Sequence, residues 1–144
     1  MNRIQAQKIV ERIQNIPLYL HAYAFHLNMR MEKILPEGLL DIASEQKLKG
    51  VKVHVLDGES QSLSCADDAR LQKFGEKAHS LGLDVHIETS ASDAETIDTA
   101  VAIALKSDAS SVRFYPRYEG HLADVLAQVK QDIQYIKVHY QHRR

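Results

Sequence analysis

One cysteine, Cys65, is all that the 144 residues contain. That excludes an internal disulfide framework and suits a reducing cytosol. Cys65 lies beside a predicted helix start and is expected to be a buried or half-buried structural thiol, not a nucleophile. Charge of one sign is also lacking. Lys and Arg number 18 against 19 Asp and Glu, a net −1, so there is no general argument for nucleic acid or an anionic membrane as partner. No apolar run approaches a transmembrane span. The segment MNRIQAQKIVERIQ is amphipathic and lacks the apolar core of a signal peptide, which gives a cytoplasmic expectation. Glycine-rich phosphate loops, paired CxxC cysteines and a nucleophile elbow are all missing.

What the chain does have is a pattern repeated four times. Apolar content of 44% is that of a globular chain, and the length suits one domain. Four strand-like runs, Leu18–Leu27, Val51–Asp57, Leu83–Thr89 and Ser111–Arg117, are each followed by a helix-like stretch. A further helix over 2–15 precedes them, with Ile4, Ile9, Val10 and Ile13 near helical spacing and Pro17 ending it. Pro36 is placed to open the next helix and Gly50 to stop it. Ser64 with Asp67, and Ser92 with Glu95, have the spacing of capping boxes. Gly82 ends the helix before the third run. Leu122, Val125, Leu126, Val129, Ile133 and Ile136 trace a last amphipathic helix. Strand–helix–strand units of about thirty residues make parallel strands. The loop Asp57–Leu63 is the longest polar connection, and it follows a strand, where α/β proteins put their sites.

The runs have two different faces. Val51, Val53 and Val55 oppose Lys52 and His54; Leu83, Val85 and Ile87 oppose Asp84, His86 and Glu88; Val112 and Phe114 oppose Arg113, Tyr115 and Arg117. Central strands of a doubly wound sheet are apolar on both faces, so these fit better in a barrel, apolar outward to helices and polar inward. A four-stranded sheet with helices on one face and solvent on the other remains the alternative.

The segments GVKVHVLDGE, GLDVHIETS and SSVRFYPRYEGH resemble the xylose-isomerase-like TIM-barrel superfamily, which holds sugar isomerases, sugar and sugar-phosphate epimerases and endonuclease-IV-type repair enzymes. The resemblance implies an α/β fold: a parallel (βα)4 half of a TIM barrel, one partial domain over residues 1–144. It implies a small sugar or sugar-phosphate substrate. It also implies a divalent metal (Mn, Mg or Zn) in the complete barrel, with the main ligands on later strands; no metal ligand is carried over to this chain. A whole barrel needs about 250 residues. The expectation is therefore the N-terminal half of an isomerase or epimerase-like barrel, incomplete for catalysis alone, its activity by itself left open. The alternatives are a non-catalytic half-barrel that pairs as a homodimer, or a fragment of an abasic-site endonuclease. Membrane and nucleic-acid partners are not expected.

Candidate site residues follow from the polar faces and strand ends. Glu88 is the catalytic candidate, an acid or base if burial raises its pKa; a carboxylate paired with Lys or Arg is the plainer alternative. Arg113 and Arg117 share a face suited to a phosphate or carboxylate, or to an internal pair with Glu88, Asp84 or Glu119. Tyr115 can stack on a sugar or fill a barrel layer. His54 and His86 occupy equivalent inward positions, as ligand-binding groups or core histidines. His26, Asp57 and Glu59 lie at or past strand ends. His139 and His142, three apart, are read as a basic helix end, not a metal pair.

Overall fold

The computed structural model describes residues 2–31, 33–55, 62–90 and 93–141. Four strands, β1 (Tyr19–His21), β2 (Gly50–His54), β3 (Asp84–Thr89) and β4 (Ser111–Phe114), form one sheet in the order β1-β2-β3-β4. Every neighbouring pair is parallel. Among the described residues six α-helices accompany them: α1 (Arg3–Gln14), α2 (His26–Arg30), α3 (Pro36–Glu45), α4 (Asp68–Ser80), α5 (Ala94–Lys106) and α6 (Leu122–Tyr140). A sequential order with right-handed crossovers keeps the connecting helices on one side of the sheet.

That side is the apolar one. Val51, Val53, Val85 and Ile87 from the strands join Leu39, Leu40 and Ala43 of α3, Leu71, Phe74 and Ala78 of α4, and Ala100, Ile103 and Ala104 of α5 in one buried cluster. Gly75 lets α4 approach the chain after α5 closely, because a Cβ there would meet the Ser107 carbonyl oxygen at 2.1 Å. Ion pairs join α3 to α4 along their length, Glu37 to Arg70 at 2.6 Å and Asp41 to Lys77 at 2.8 Å.

Several sequence expectations need correction. The first run is not one strand over Leu18–Leu27: β1 ends at His21, a 3-10 turn takes Ala22–Phe25, and α2 begins at His26. The turn forms because the Tyr23 backbone N–H donates to His21 Nδ1, a side-chain cap that competes with strand continuation. Gly50 does not stop α3. That helix ends at Glu45, Lys47 takes the left-handed turn (φ 56°), and Gly50 opens β2, where a Cβ would strike the Asp84 carbonyl oxygen at 2.1 Å. The cap of α4 is Asp67, which accepts from the Arg70 N–H at 2.8 Å. Ser64 sits in a separate short turn, Leu63–Cys65, capped by Ser62. Asp93 caps α5 by accepting from the Thr96 N–H, while Ser92 is outside the described residues. Gly82 does end α4, at φ 68°. Cys65 is exposed, not buried: the turn that holds it points Leu63 into the core instead.

The two outer helices differ from the rest. α1 is capped by an Asn2–Gln5 capping box yet buries none of its residues. α6 leaves Leu122, Leu126, Ile133 and Val138 exposed and is held chiefly by polar contacts. Tyr135 and Tyr140 donate their hydroxyls to Asp98 of α5, and Tyr118 donates to the buried Asp132 at 2.6 Å. No helix among the described residues is long and apolar enough to cross a membrane.

Candidate active site

The second face of the sheet is polar in every strand, and parallel register stacks its residues in rows. Tyr19 and Asp84 form the lowest row, on either side of Gly50. His21, Lys52, His86 and Ser111 form the next. His54, Glu88 and Arg113 form the third. Period-two side-chain alternation in β2 and β3 produces this arrangement.

Bonds run within the lower two rows and between the second and third. Tyr19 donates to Asp84 Oδ2 at 3.0 Å and meets the His86 ring edge-on at 5.0 Å. Burial and the Asp84 bond push the Tyr19 phenol upward. Lys52 Nζ stands 5.7 Å above the Tyr19 ring. His86 Nδ1 shares a hydrogen bond with Ser111 Oγ. Glu88 is 5% exposed; its Oε2 lies 2.6 Å from His21 Nε2 and its Oε1 4.0 Å from Lys52 Nζ. The paired carboxylate considered as the plainer alternative for Glu88 is thus present, but its closest partner is a histidine.

Above the rows, at the C-terminal ends of the strands, a cavity of about 590 Å³ opens, lined by His21, Tyr23, Ala24, His54, Ser90, Tyr115 and Arg117. Its size is that of a small-ligand site. His54 lies between two tyrosines, 5.5 Å from Tyr115 and 6.5 Å from Tyr23 by ring centroids. His54 Nδ1 is buried without a hydrogen-bond partner among the described residues, as is His86 Nε2. Burial holds both imidazoles below the ordinary histidine range, with the neighbouring His21 and then Arg117 adding to the effect at His54 and the Arg113 charge at His86. Burial, then the Glu88 charge, pushes the Tyr115 phenol up.

Of the residues singled out in the sequence, His54, Tyr115 and Arg117 meet at this cavity. Glu88 and His86 lie on the same face but do not line it, and Arg113 stands in register beside Glu88. Neither Arg113 nor Arg117 forms an ion pair among the described residues, so the internal pair considered for them is not made. His26 stacks on Tyr23 at 4.9 Å and borders a smaller hollow beneath. Asp57, Glu59 and His142 lie outside the described residues. His139 bonds the Tyr135 carbonyl at the end of α6, remote from the cavity lining. Four lining residues, His21, Tyr23, Ala24 and Ser90, escaped the sequence reading. His21 shares the strand parity of Tyr19, which marks it as a polar-face position, whereas Tyr23 reaches the cavity from the turn.

No known family model matches the chain. It is similar to the uncharacterized protein YihM of Escherichia coli strain K12, with 65% identity over 136 residues. The match covers 94% of this chain and 42% of the relative. The chain therefore spans less than half the length of that curated relative.

Proposed function

We propose that this chain builds the substrate-facing wall of a barrel enzyme that isomerises or epimerises a sugar or sugar phosphate, as the opening (βα)4 half of the barrel. The observation that carries the reading is the cavity at the strand ends, where a histidine held toward its neutral form lies between two tyrosines and beside Arg117. Sequential parallel order, one helix-covered face and one polar face support the barrel half.

The chemistry is movement of a proton on carbon next to a carbonyl. A neutral imidazole at His54 accepts the proton from that carbon and, in isomerisation, returns it to the neighbouring carbon on the same face while the hydroxyl proton passes to the former carbonyl oxygen; epimerisation would need a second acid on the opposite face, supplied by the rest of the barrel. Tyr115 and Tyr23 offer ring faces and hydroxyls to a sugar. Arg117 offers a guanidinium fork to a phosphate or to the oxygen that gains charge. Glu88, behind His21, serves as an anchor in this scheme. Among the described residues no three His, Cys, Asp or Glu side chains stand together as a metal site. The described residues do not make the divalent-metal site that the resemblance implies, and no step here runs through one.

The test is binding. A panel of aldoses, ketoses and their phosphates is titrated into the labelled 144-residue chain, with His54 ring signals as reporter. The expected result is saturable binding of a sugar or sugar phosphate, weakened about tenfold or more by Arg117→Ala for a phosphorylated ligand. No binding by any member, or binding indifferent to both Arg117→Ala and Tyr115→Ala, would sink the reading. Turnover by the chain with added Mn²⁺ or Mg²⁺ is expected to be slight.

A second reading, a half-barrel that pairs with another copy, draws on a different observation. β1 and β4 are both sheet edges, and an unpaired edge is a ready template for another strand. Mass in solution separates the two, because a stable metal-free dimer would favour self-association.

A further inference from the structure

His21 has both ring nitrogens engaged. The Tyr23 backbone N–H donates to Nδ1 at 3.0 Å, and Nε2 lies 2.6 Å from Glu88 Oε2. A nitrogen that accepts carries no proton, so the ring hydrogen sits on Nε2 and is donated to Glu88. Either other ring state breaks the arrangement. With the hydrogen on Nδ1, the cap is lost and Nε2 faces the carboxylate lone pair to lone pair. With both nitrogens protonated, the cap is lost as well.

Glu88 is a fixed point. It lies in an inner strand, is 5% exposed, and has Lys52 Nζ at 4.0 Å on its other oxygen. The turn beyond His21 is what the cap controls. Ala22–Phe25 carries Tyr23 and Ala24 into the cavity wall, and Tyr23 stacks on His26 at 4.9 Å.

We propose that His21 is a positioning residue for the cavity. Glu88 fixes its Nε2–H tautomer, and that tautomer leaves Nδ1 to cap the turn that sets Tyr23 in the wall. The proposal rests on the cavity being the substrate site.

The experiment uses the ¹⁵N-labelled 144-residue chain at pH 7, with imidazole nitrogen spectra and amide hydrogen exchange. His21 is expected to show the Nε2–H pattern, its signals assigned by their loss in His21→Asn. Asparagine places an oxygen near the position of Nδ1 and is a good cap, so His21→Asn is expected to keep Tyr23 amide exchange within about threefold of wild type. His21→Gln reaches toward Glu88 but cannot cap, and is expected to speed that exchange about tenfold. Glu88→Ala, if folded, is expected to mix the tautomers and speed exchange similarly. An Nδ1–H or doubly protonated His21 in wild type would overturn the proposal, as would equal Tyr23 exchange in His21→Asn and His21→Gln. A cavity that binds no sugar while His21 shows the Nε2–H pattern removes the functional reading and leaves the tautomer lock. A sugar-binding cavity with another ring state does the reverse.

Discussion

Replacing Gly75 by alanine sets two effects of known sign against each other. Alanine is the better helix residue, by about 0.5–1 kcal/mol at an interior position. Against that stands a backbone obstacle: the new methyl would lie 2.1 Å from the Ser107 carbonyl oxygen and 2.7 Å from its carbon. Ordinary carbon–oxygen contacts lie near 3.3–3.6 Å, so α4 must withdraw from the end of α5 by about 1 Å. Ser107 cannot swing aside as a flexible side chain would. It is 1% exposed, and its hydroxyl donates to the Ile103 carbonyl at 2.7 Å. Withdrawal loosens Leu71, Phe74 and Ala78, which are at most 3% exposed. Overpacking of this kind costs about 1–3 kcal/mol, and a rigid obstacle argues for the upper half. After the helix gain is subtracted, the expected loss is about 2 kcal/mol, or a Tm lower by roughly 4–8 °C in a chain of this size. Thermal unfolding followed by circular dichroism measures it. Gly82→Ala is the control, with nothing within 4 Å of its Cβ and φ at 68°; its cost is left-handed strain alone, about 1 kcal/mol. A Gly75→Ala protein that melts at or above wild type would refute the close approach of α4 and the end of α5.

Ile87 is fully buried at the centre of the apolar face, so Ile87→Ala is expected to lower stability by about 2–5 kcal/mol in urea unfolding. The two depressed histidines give an acid limb. Unfolded His54 and His86 take up protons near pH 6.5 while the folded chain resists, so the unfolded state binds more protons and stability falls as pH drops below about 6.5. A urea midpoint flat from pH 7 to 5.5 would contradict it. Tyr118, pushed up to about 12 by burial and its bond to Asp132, gives the opposite limb. Its unfolded form ionises first, near pH 10, so stability is lost as pH rises from 10 toward 12, and the loss should be shallower in Tyr118→Phe.

The parts of this fold that local chemistry determines were legible in the sequence. Val51 and Val53 against Lys52 and His54, and Val85 and Ile87 against His86 and Glu88, alternate because one face meets helices and the other does not. The first run misled for a physical reason. Tyr19, His21, Tyr23 and Phe25 keep period-two spacing straight through a 3-10 turn, so periodicity alone extends the strand. What ends it is the capping His21 ring, itself bonded to Glu88, a residue 67 positions away. The same long-range contact decides the site. His54, Tyr115 and Arg117 were visible as polar-face residues near strand ends. His21 and Tyr23 were hidden by the misread run, and His86 lies too deep on the face to line the cavity.

The polar face also sorts its own charges, and that sorting bears on what can bind above it. Asp84 accepts from the Tyr19 hydroxyl and has Lys49 at 3.8 Å. Glu88 is matched by His21 and faced by Lys52. Both carboxylates on the face are therefore answered from within the lower rows. The two arginines of the fourth run are not: Arg113 and Arg117 have no ion pair among the described residues, and His54, at the end of β2, is held toward neutrality. Among the described residues the result is a gradient, balanced at the floor and positive toward Arg117. A neutral sugar gains little from such a gradient. A phosphorylated one would meet a guanidinium fork that has no ion pair to break among the described residues. Between the two substrate classes proposed, that distribution favours the sugar phosphate.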